Sequence, residues 1–379
     1  MQYSTAAAHC GRGYNSLYVH VPFCGGRKCD YCAFFSLPHP TAEQRKDYRV
    51  HLAAEFARSA GQCAPLRSIF VGGGTPSALD CHELSVLTAA IKEHFTLQED
   101  CEWTFEANPE SLTADKLEIL LEAGVTRLSL GVQSFIPRLR AAIGRCGTLG
   151  RLPELVDFAR RRGLPHLNLD LIYAIPGETA EEWRHDLQCA LALSPDHLSC
   201  YSLILEDGTP LARRAPAPVT EELFLQCWHL TDSLLDGAGL RRYEISNFSR
   251  PGCQCRHNRE IWHGQSYLGC GPAAVSFDGV DRCANPHDFD AWRSGLPGET
   301  DTLSPAARAR EIFAFAFRTV EGWNWQELQA ATGLTRTAVE AMSPVQQALA
   351  ANLITVTAKS IAPTGRGLLC NDDLLELLL

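Results

Sequence analysis

The sequence predicts an α/β fold: an open, partial (β/α)6 barrel followed by a mostly helical, winged-helix-like module at the carboxyl end. Three observations carry this expectation. Short apolar runs alternate with longer amphipathic stretches over the first two thirds of the chain. Six such pairs are joined by connections of crossover length, which makes the sheet parallel. Six units are also too few to close an eightfold barrel, so the sheet stays open.

Taken in order, the strands are expected at 17–21, 68–72, 103–106, 127–130, 167–171 and 198–203. Helical periodicity falls between them at 42–59, 80–95, 114–123, 152–162 and 181–193. After residue 210 the rhythm breaks into a helix at 221–235, a strand at 243–246 and a loop region rich in glycine and cysteine. After residue 299 it changes again, to helices at 306–317, 325–332 and 336–351 and a short hairpin within 354–363. The expected organisation is an amino-terminal arm (1–16), the barrel (17–210), a barrel extension and linker (211–299) and the helical module (300–379). There is no internal repeat beyond the βα period and no low-complexity tract.

Composition narrows the function classes. The 379 residues carry 34 basic and 44 acidic side chains, a net charge of −10, which disfavours nucleic acid or an anionic membrane as the main partner. Residues 1–16 contain no apolar signal core, and no run approaches the roughly 18 apolar residues of a membrane span. A cytoplasmic protein is expected. Its 16 cysteines then read as free thiols or metal ligands.

Cys24, Cys29 and Cys32 lie on one short loop directly after the first strand. Three thiolates can hold three irons of a 4Fe-4S cube and leave the fourth iron open for chemistry. Zinc is the alternative, with His20 or His39 as a fourth ligand. Later strands run into Gly72-Gly73-Gly74-Thr75-Pro76, Glu106, Gln133 and Asp170. Polar groups at successive strand ends suit a cofactor that carries amine and hydroxyl donors.

The run SLYVHVPFCGGRKCDYCAFFS resembles the opening of the radical S-adenosylmethionine superfamily, and within it the oxygen-independent coproporphyrinogen III oxidase group with its HemW-like haem-chaperone branch. The resemblance continues through YEISNFSRPGCQCRHN to IAPTGRGLLCNDDLLELLL. It implies a 4Fe-4S cluster on Cys24, Cys29 and Cys32 that chelates S-adenosylmethionine and, on one-electron reduction, releases a 5′-deoxyadenosyl radical. It also maps Tyr18, Gly74, Thr75, Glu106, Gln133, Arg145 and Asp170 onto S-adenosylmethionine contacts and places Tyr31 against the cluster. The family pattern has three residues between its first two cysteines; this chain has four, Gly25 to Lys28.

Two departures point to the chaperone branch. Phe34 stands where the oxidase branch has a fourth cysteine, and only sixteen residues precede the first strand. That branch carries a His-Asn-x-x-Tyr-Trp signature, met here as His257-Asn258-Arg259-Glu260-Ile261-Trp262. The resemblance implies haem as a ligand, with His257 as the candidate axial ligand and Trp262 as a stacking surface. Val275 stands where the family usually has a histidine. The implied partners are haem or another tetrapyrrole, haem-acceptor proteins and an electron donor. The competing classes are a radical enzyme that decarboxylates porphyrinogen propionates and a zinc-stabilised regulatory protein. Cys200, Cys253, Cys255 and Cys270 read as packing residues.

Overall fold

The computed structural model describes residues 13–145 and 147–379, so most of the expected amino-terminal arm lies outside the described residues. Six parallel strands form the barrel: β1 (Tyr14–Val21), β2 (Cys63–Gly73), β3 (Leu97–Ala107), β4 (Arg127–Gln133), β5 (His166–Tyr173) and β6 (His197–Ser202). The crossovers are α1 (Ala42–Ser59), α2 (Cys81–His94), α3 (Ala114–Ala123), the pair α4 (Pro137–Ala142) and α5 (Leu152–Arg161), and α6 (Ala180–Ala192). Three of these helices start at a reciprocal cap: Thr41 with Gln44, Asp80 with Glu83, and Thr179 with Glu182. Each pair satisfies two backbone N–H groups that the first turn leaves unbonded.

The sheet does not close. Next come α7 (Pro210–Arg213), α8 (Glu221–Gly237), β7 (Arg241–Arg242), β8 (Asn247–Ser249), α9 (Arg256–Trp262) and β9 (Leu268–Cys270). The full strand order is β7-β8-β6-β5-β4-β3-β2-β1-β9, with β9 parallel to β1 and β8 antiparallel to β6. The strand expected at 243–246 is instead the link between β7 and β8. Arg242 pairs with Phe248, so the chain must reverse between them. Tyr243 there turns its hydroxyl to His197 Nε2 at 2.8 Å, and Glu244 accepts from the Ser246 amide.

A small antiparallel sheet of β10 (Val275–Phe277), β11 (Asp281–Ala284) and β12 (Glu299–Thr302) follows, with α10 (Phe289–Arg293) between its last two strands. The carboxyl-terminal module contains α11 (Pro305–Phe315), β13 (Trp323–Asn324), α12 (Trp325–Thr332), α13 (Arg336–Glu340), α14 (Ser343–Ala350), β14 (Ile354–Val356), β15 (Ser360–Pro363), α15 (Gly365–Leu369) and α16 (Asn371–Leu378). Its core gathers Phe313, Phe317, Trp323, Leu328, Ile361 and Leu374. The helix expected over 336–351 is two helices. Pro344 in the first turn of α14 has no N–H to continue an earlier helix and clashes with its backbone.

The barrel strands alternate with period two, and the sense of the alternation positions the site. Leu128, Leu130 and Val132 of β4, and Leu167, Leu169 and Leu171 of β5, pack in the main hydrophobic core. The intervening Arg127, Ser129, Gly131 and Gln133, and Asn168 and Asp170, line a central cavity instead. The same holds for Thr104 and Glu106 on β3 and for His197, Ser199 and Tyr201 on β6. Parallel strands covered on both faces are normally apolar on both. A polar inner wall is costly to bury unless its groups are bonded to each other or to a ligand.

Candidate functional site

The cysteine loop is fixed from several sides. The Cys24 amide donates to Leu37 O at 3.0 Å, and the Asp30 amide to Ile143 O at 3.0 Å. Asp30 is 3% exposed and pairs with Arg27 at 2.7 Å and Arg214 at 3.0 Å, while its carbonyl accepts from the Leu211 amide at 2.8 Å. A buried carboxylate with two guanidinium partners holds a loop only where both stay in place. The loop is therefore tied at once to α7 and to the segment after α4.

The glycine tract after β2 supports the same loop. Gly74 N donates to Val21 O at 2.8 Å and Thr75 N to Phe23 O at 2.6 Å. A Cβ on Gly74 would stand 2.7 Å from Phe23 O, so only glycine allows this approach. The Gly74 and Thr75 amides thus serve the residues just before Cys24. Both residues still form part of the cavity wall.

Cys24, Cys29 and Cys32 all line one cavity of about 540 Å³, in the range of small-molecule sites. Of the residues singled out in the sequence, Tyr31, Gly74, Thr75, Glu106, Gln133, Arg145 and Asp170 share that wall, whereas Tyr18 and His257 are not among its lining residues. Tyr18 packs beside Phe70, and its hydroxyl lies 3.1 Å from His20 Nδ1. His20 Nε2 is in turn 2.9 Å from Phe35 O, so both ring nitrogens are engaged and His20 has none left for zinc. His39 is exposed. Among the described residues no three His, Cys, Asp or Glu side chains converge as ligands of a single ion. Thiolates of a cube each bind a different iron, so they need to share a wall without meeting at a point.

The electrostatics follow from burial. Burial, and next the negative charge of Asp170, push the Glu106 carboxyl up to about 8 against one hydrogen bond from the Gly73 amide. Burial raises Asp170 too, opposed by hydrogen bonds from Ser199, Ser129 and Asn168. Ser129 Oγ donates at 2.9 Å and Asn168 Nδ2 at 2.8 Å. Burial also raises the thiols of Cys24 and Cys32. Arg145 supplies positive charge: its Nη1 lies 3.6 Å from Cys29 Sγ, and its Nη2 donates to Asn108 Oδ1 at 2.7 Å and to Gly131 O. Gln133 ends β4 at φ 70°, a left-handed conformation uncommon for a residue with a side chain and often found where a ligand is held.

Several wall residues escaped the sequence reading: Asn108, Ser129, Asn168, His197 and Ser199. The signal that finds the strand members is the period-two alternation of Ser, Asn and His with Leu.

His257 lies outside this wall. It is 3% exposed, its ring packs on Phe70 at 5.2 Å, and its Nδ1 lies 3.0 Å from Ser68 Oγ. Burial lowers its pKa to about 4, so it is neutral at physiological pH. Its neighbour Asn258 faces the cavity instead. One face of Trp262 is taken by the Arg318 guanidinium, 4.4 Å from the ring centre. Cys200, Cys255 and Cys270 are buried, whereas Cys253 is only partly so. Cys255 Sγ donates to Glu102 Oε1 at 3.5 Å.

Comparison with known proteins places this geometry. The model of the radical SAM superfamily matches residues 18–190. Heme chaperone HemW of Mycobacterium tuberculosis (strain ATCC 25618 / H37Rv) is 35% identical over 371 residues, covering 96% of this chain and 94% of that protein. The proteins of the same name from Haemophilus influenzae and Escherichia coli are each 33% identical over 96% of this chain and cover 97% and 98% of their own lengths. In fold, the chain is similar to the solved structure of coproporphyrinogen III oxidase (HemN) from Escherichia coli. The TM-score is 0.83 over 97% of this chain and 90% of that one, at 23% identity. With its cysteine loop at the mouth of an open parallel barrel, the chain belongs to the HemW family of the radical SAM superfamily.

Proposed function

We propose that this protein is a haem chaperone that carries a 4Fe-4S cluster and S-adenosylmethionine in the barrel cavity and delivers haem to acceptor proteins. The observation that carries the cofactor part is the convergence of Cys24, Cys29 and Cys32 on one cavity wall with Glu106, Gln133, Arg145 and Asp170. The donor set suits the group: three soft thiolates on a fixed loop, with a guanidinium beside one of them. The haem part rests on the chaperone role that the names of its relatives carry.

Cys24, Cys29 and Cys32 would hold the cluster, and Arg145 would offset thiolate charge. Asp170, kept in place by Ser129 and Asn168, would accept hydrogen bonds from cofactor hydroxyls. Glu106 would accept from the cofactor ammonium, whose positive charge would draw its raised pKa back down. When bound, the cluster supplies a single electron for cleavage of the sulfonium cofactor. An external electron donor would deliver that electron. No helix among the described residues is long and apolar enough to cross a membrane, and we place the protein in the cytoplasm.

The intact polar set around Glu106 and Asp170 also supports a second reading, a radical enzyme acting on a tetrapyrrole. One experiment separates the two. Anaerobic reconstitution is followed by iron, sulfide and haem quantification, with a parallel assay for 5′-deoxyadenosine and protoporphyrinogen. The chaperone reading expects stoichiometric haem without porphyrinogen turnover; turnover with no haem bound sinks it. Cys29→Ala should abolish the iron-sulfur spectrum, and a spectrum like that of the unmodified protein would overturn the ligand assignment.

A further inference from the structure

Four of the ten large apolar side chains left exposed among the described residues belong to two segments that meet at the cavity: Phe34 (68% exposed), Tyr201 (40%), Ile204 (63%) and Leu205 (42%). Phe34, Tyr201 and Ile204 line the cavity, and Leu205 follows directly. Single exposed apolar residues are normal, but a group gathered on one rim marks a binding surface. Phe34 comes from the cysteine loop and the others from the end of β6 and the segment beyond it. The two segments are tied together, because Tyr31 and Leu203 pack against one apolar cluster, and that cluster contains the Leu211 whose amide donates to Asp30 O.

We propose that a haem macrocycle lies across this rim, face down on Phe34, Ile204 and Leu205, and closes the cofactor cavity beneath it. This rests on the haem-binding reading above and adds where the ligand sits. A cavity of about 540 Å³ takes one cofactor-sized molecule, so a macrocycle bound together with that cofactor lies over it and not beside it.

Charge fixes the orientation. Lys28 Nζ donates to Phe34 O, which holds an ammonium next to the exposed ring, whereas the carboxylate of Glu206 lines the wall where Ile204 stands. The propionates of the macrocycle therefore point towards Lys28 and away from Glu206. His257, beneath Phe70 and outside the cavity wall, is out of reach from this rim. Bound haem also obstructs the way out, so S-adenosylmethionine leaves more slowly once haem is seated.

The test is haemin titration of the reconstituted full chain, comparing wild type with Phe34→Asp, Ile204→Asp and His257→Ala, with iron content and thermal midpoint measured in parallel. A carboxylate under the macrocycle is expected to weaken haemin binding at least 10-fold in both Asp variants, while His257→Ala stays within about twofold. Haemin is also expected to slow release of labelled S-adenosylmethionine from wild type. If Phe34→Asp loses iron, Ile204→Asp decides alone, since it lies outside the cysteine loop. Haemin binding within twofold of wild type in Ile204→Asp overturns this placement and leaves the chaperone reading standing. A wild-type chain that binds no haemin overturns the chaperone reading itself.

Discussion

Arg145 places Nη1 3.6 Å from Cys29 Sγ, bringing a buried cation from beyond α4 against one thiol of the amino-terminal loop. The same guanidinium is anchored on Asn108 and on Gly131 O, so its position is set by β4 and by the loop after β3. Outer partners of metal ligands typically contribute 10–100-fold in metal affinity. Arg145→Met is expected to lower cluster retention by about that factor, read as iron remaining after a timed chelator challenge. Arg145→Lys should fall between, since it keeps the charge but not the fork of donors. Equal retention in all three proteins would remove Arg145 from the site.

Asp170→Ala tests the cofactor wall separately from the cluster. Losing a carboxylate acceptor on a ligand hydroxyl costs about 1.5–3 kcal/mol, roughly 10–100-fold in affinity. Calorimetry on the reconstituted protein should show that loss for S-adenosylmethionine at unchanged iron content. Unchanged affinity would mean that Asp170 serves only Ser129 and Asn168.

Glu178 gives a pH signature away from the cysteines. It is buried, its Oε2 accepts from the Ile175 amide at 3.0 Å, and its Oε1 has no partner among the described residues. Burial, and further the charge of Asp186, push it up to about 8. A carboxyl raised in the folded state stabilises fully below its unfolded pKa near 4.5. That contribution is lost as pH rises towards 8, by up to about 1.4 kcal/mol per unit. The thermal midpoint of Glu178→Gln relative to wild type should therefore climb from pH 5 to pH 8. A constant difference would show that Glu178 is already ionised in the fold.

His257→Ala should destabilise the chain by about 1–3 kcal/mol, because Ser68 loses a buried partner and Phe70 loses the ring packed against it. The acid side carries a second sign. His257 is lowered to about 4, so its contribution is present above its unfolded value near 6.5 and fades as pH falls towards 4. Melting curves at pH 7.5 and pH 5 should show the larger penalty for His257→Ala at pH 7.5. An equal penalty at both would contradict a histidine buried in its neutral form.

Much of the architecture was legible because it is local. The helices at 42–59, 114–123 and 325–332 match their expected bounds, and all six barrel strands lie where their apolar runs do. Period sets the element, and residues such as Thr41, Asp80 and Gly124 set its ends. The spacing of Cys24, Cys29 and Cys32 on one loop is likewise a local fact. What failed locally failed for local reasons: Pro344 divides one expected helix, and the β7-β8 reversal replaces one expected strand.

The partners of Asp170 were out of reach in the sequence, because Ser129, Asn168 and Ser199 come from three different strands and meet only once those strands pair in register. Successive residues of a helix point about 100° apart, so His257 and Asn258 could not be told apart until α9 docked with one against Ser68 and the other towards the cavity. The gathering of Phe34 with Ile204 is of the same kind, joining positions 170 residues apart through the packing of Leu211 on the cysteine loop. Sequence determined which residues could do chemistry and on which elements they stand. Packing decided which of them face one another, because side-chain direction depends on how each element rotates against its neighbours.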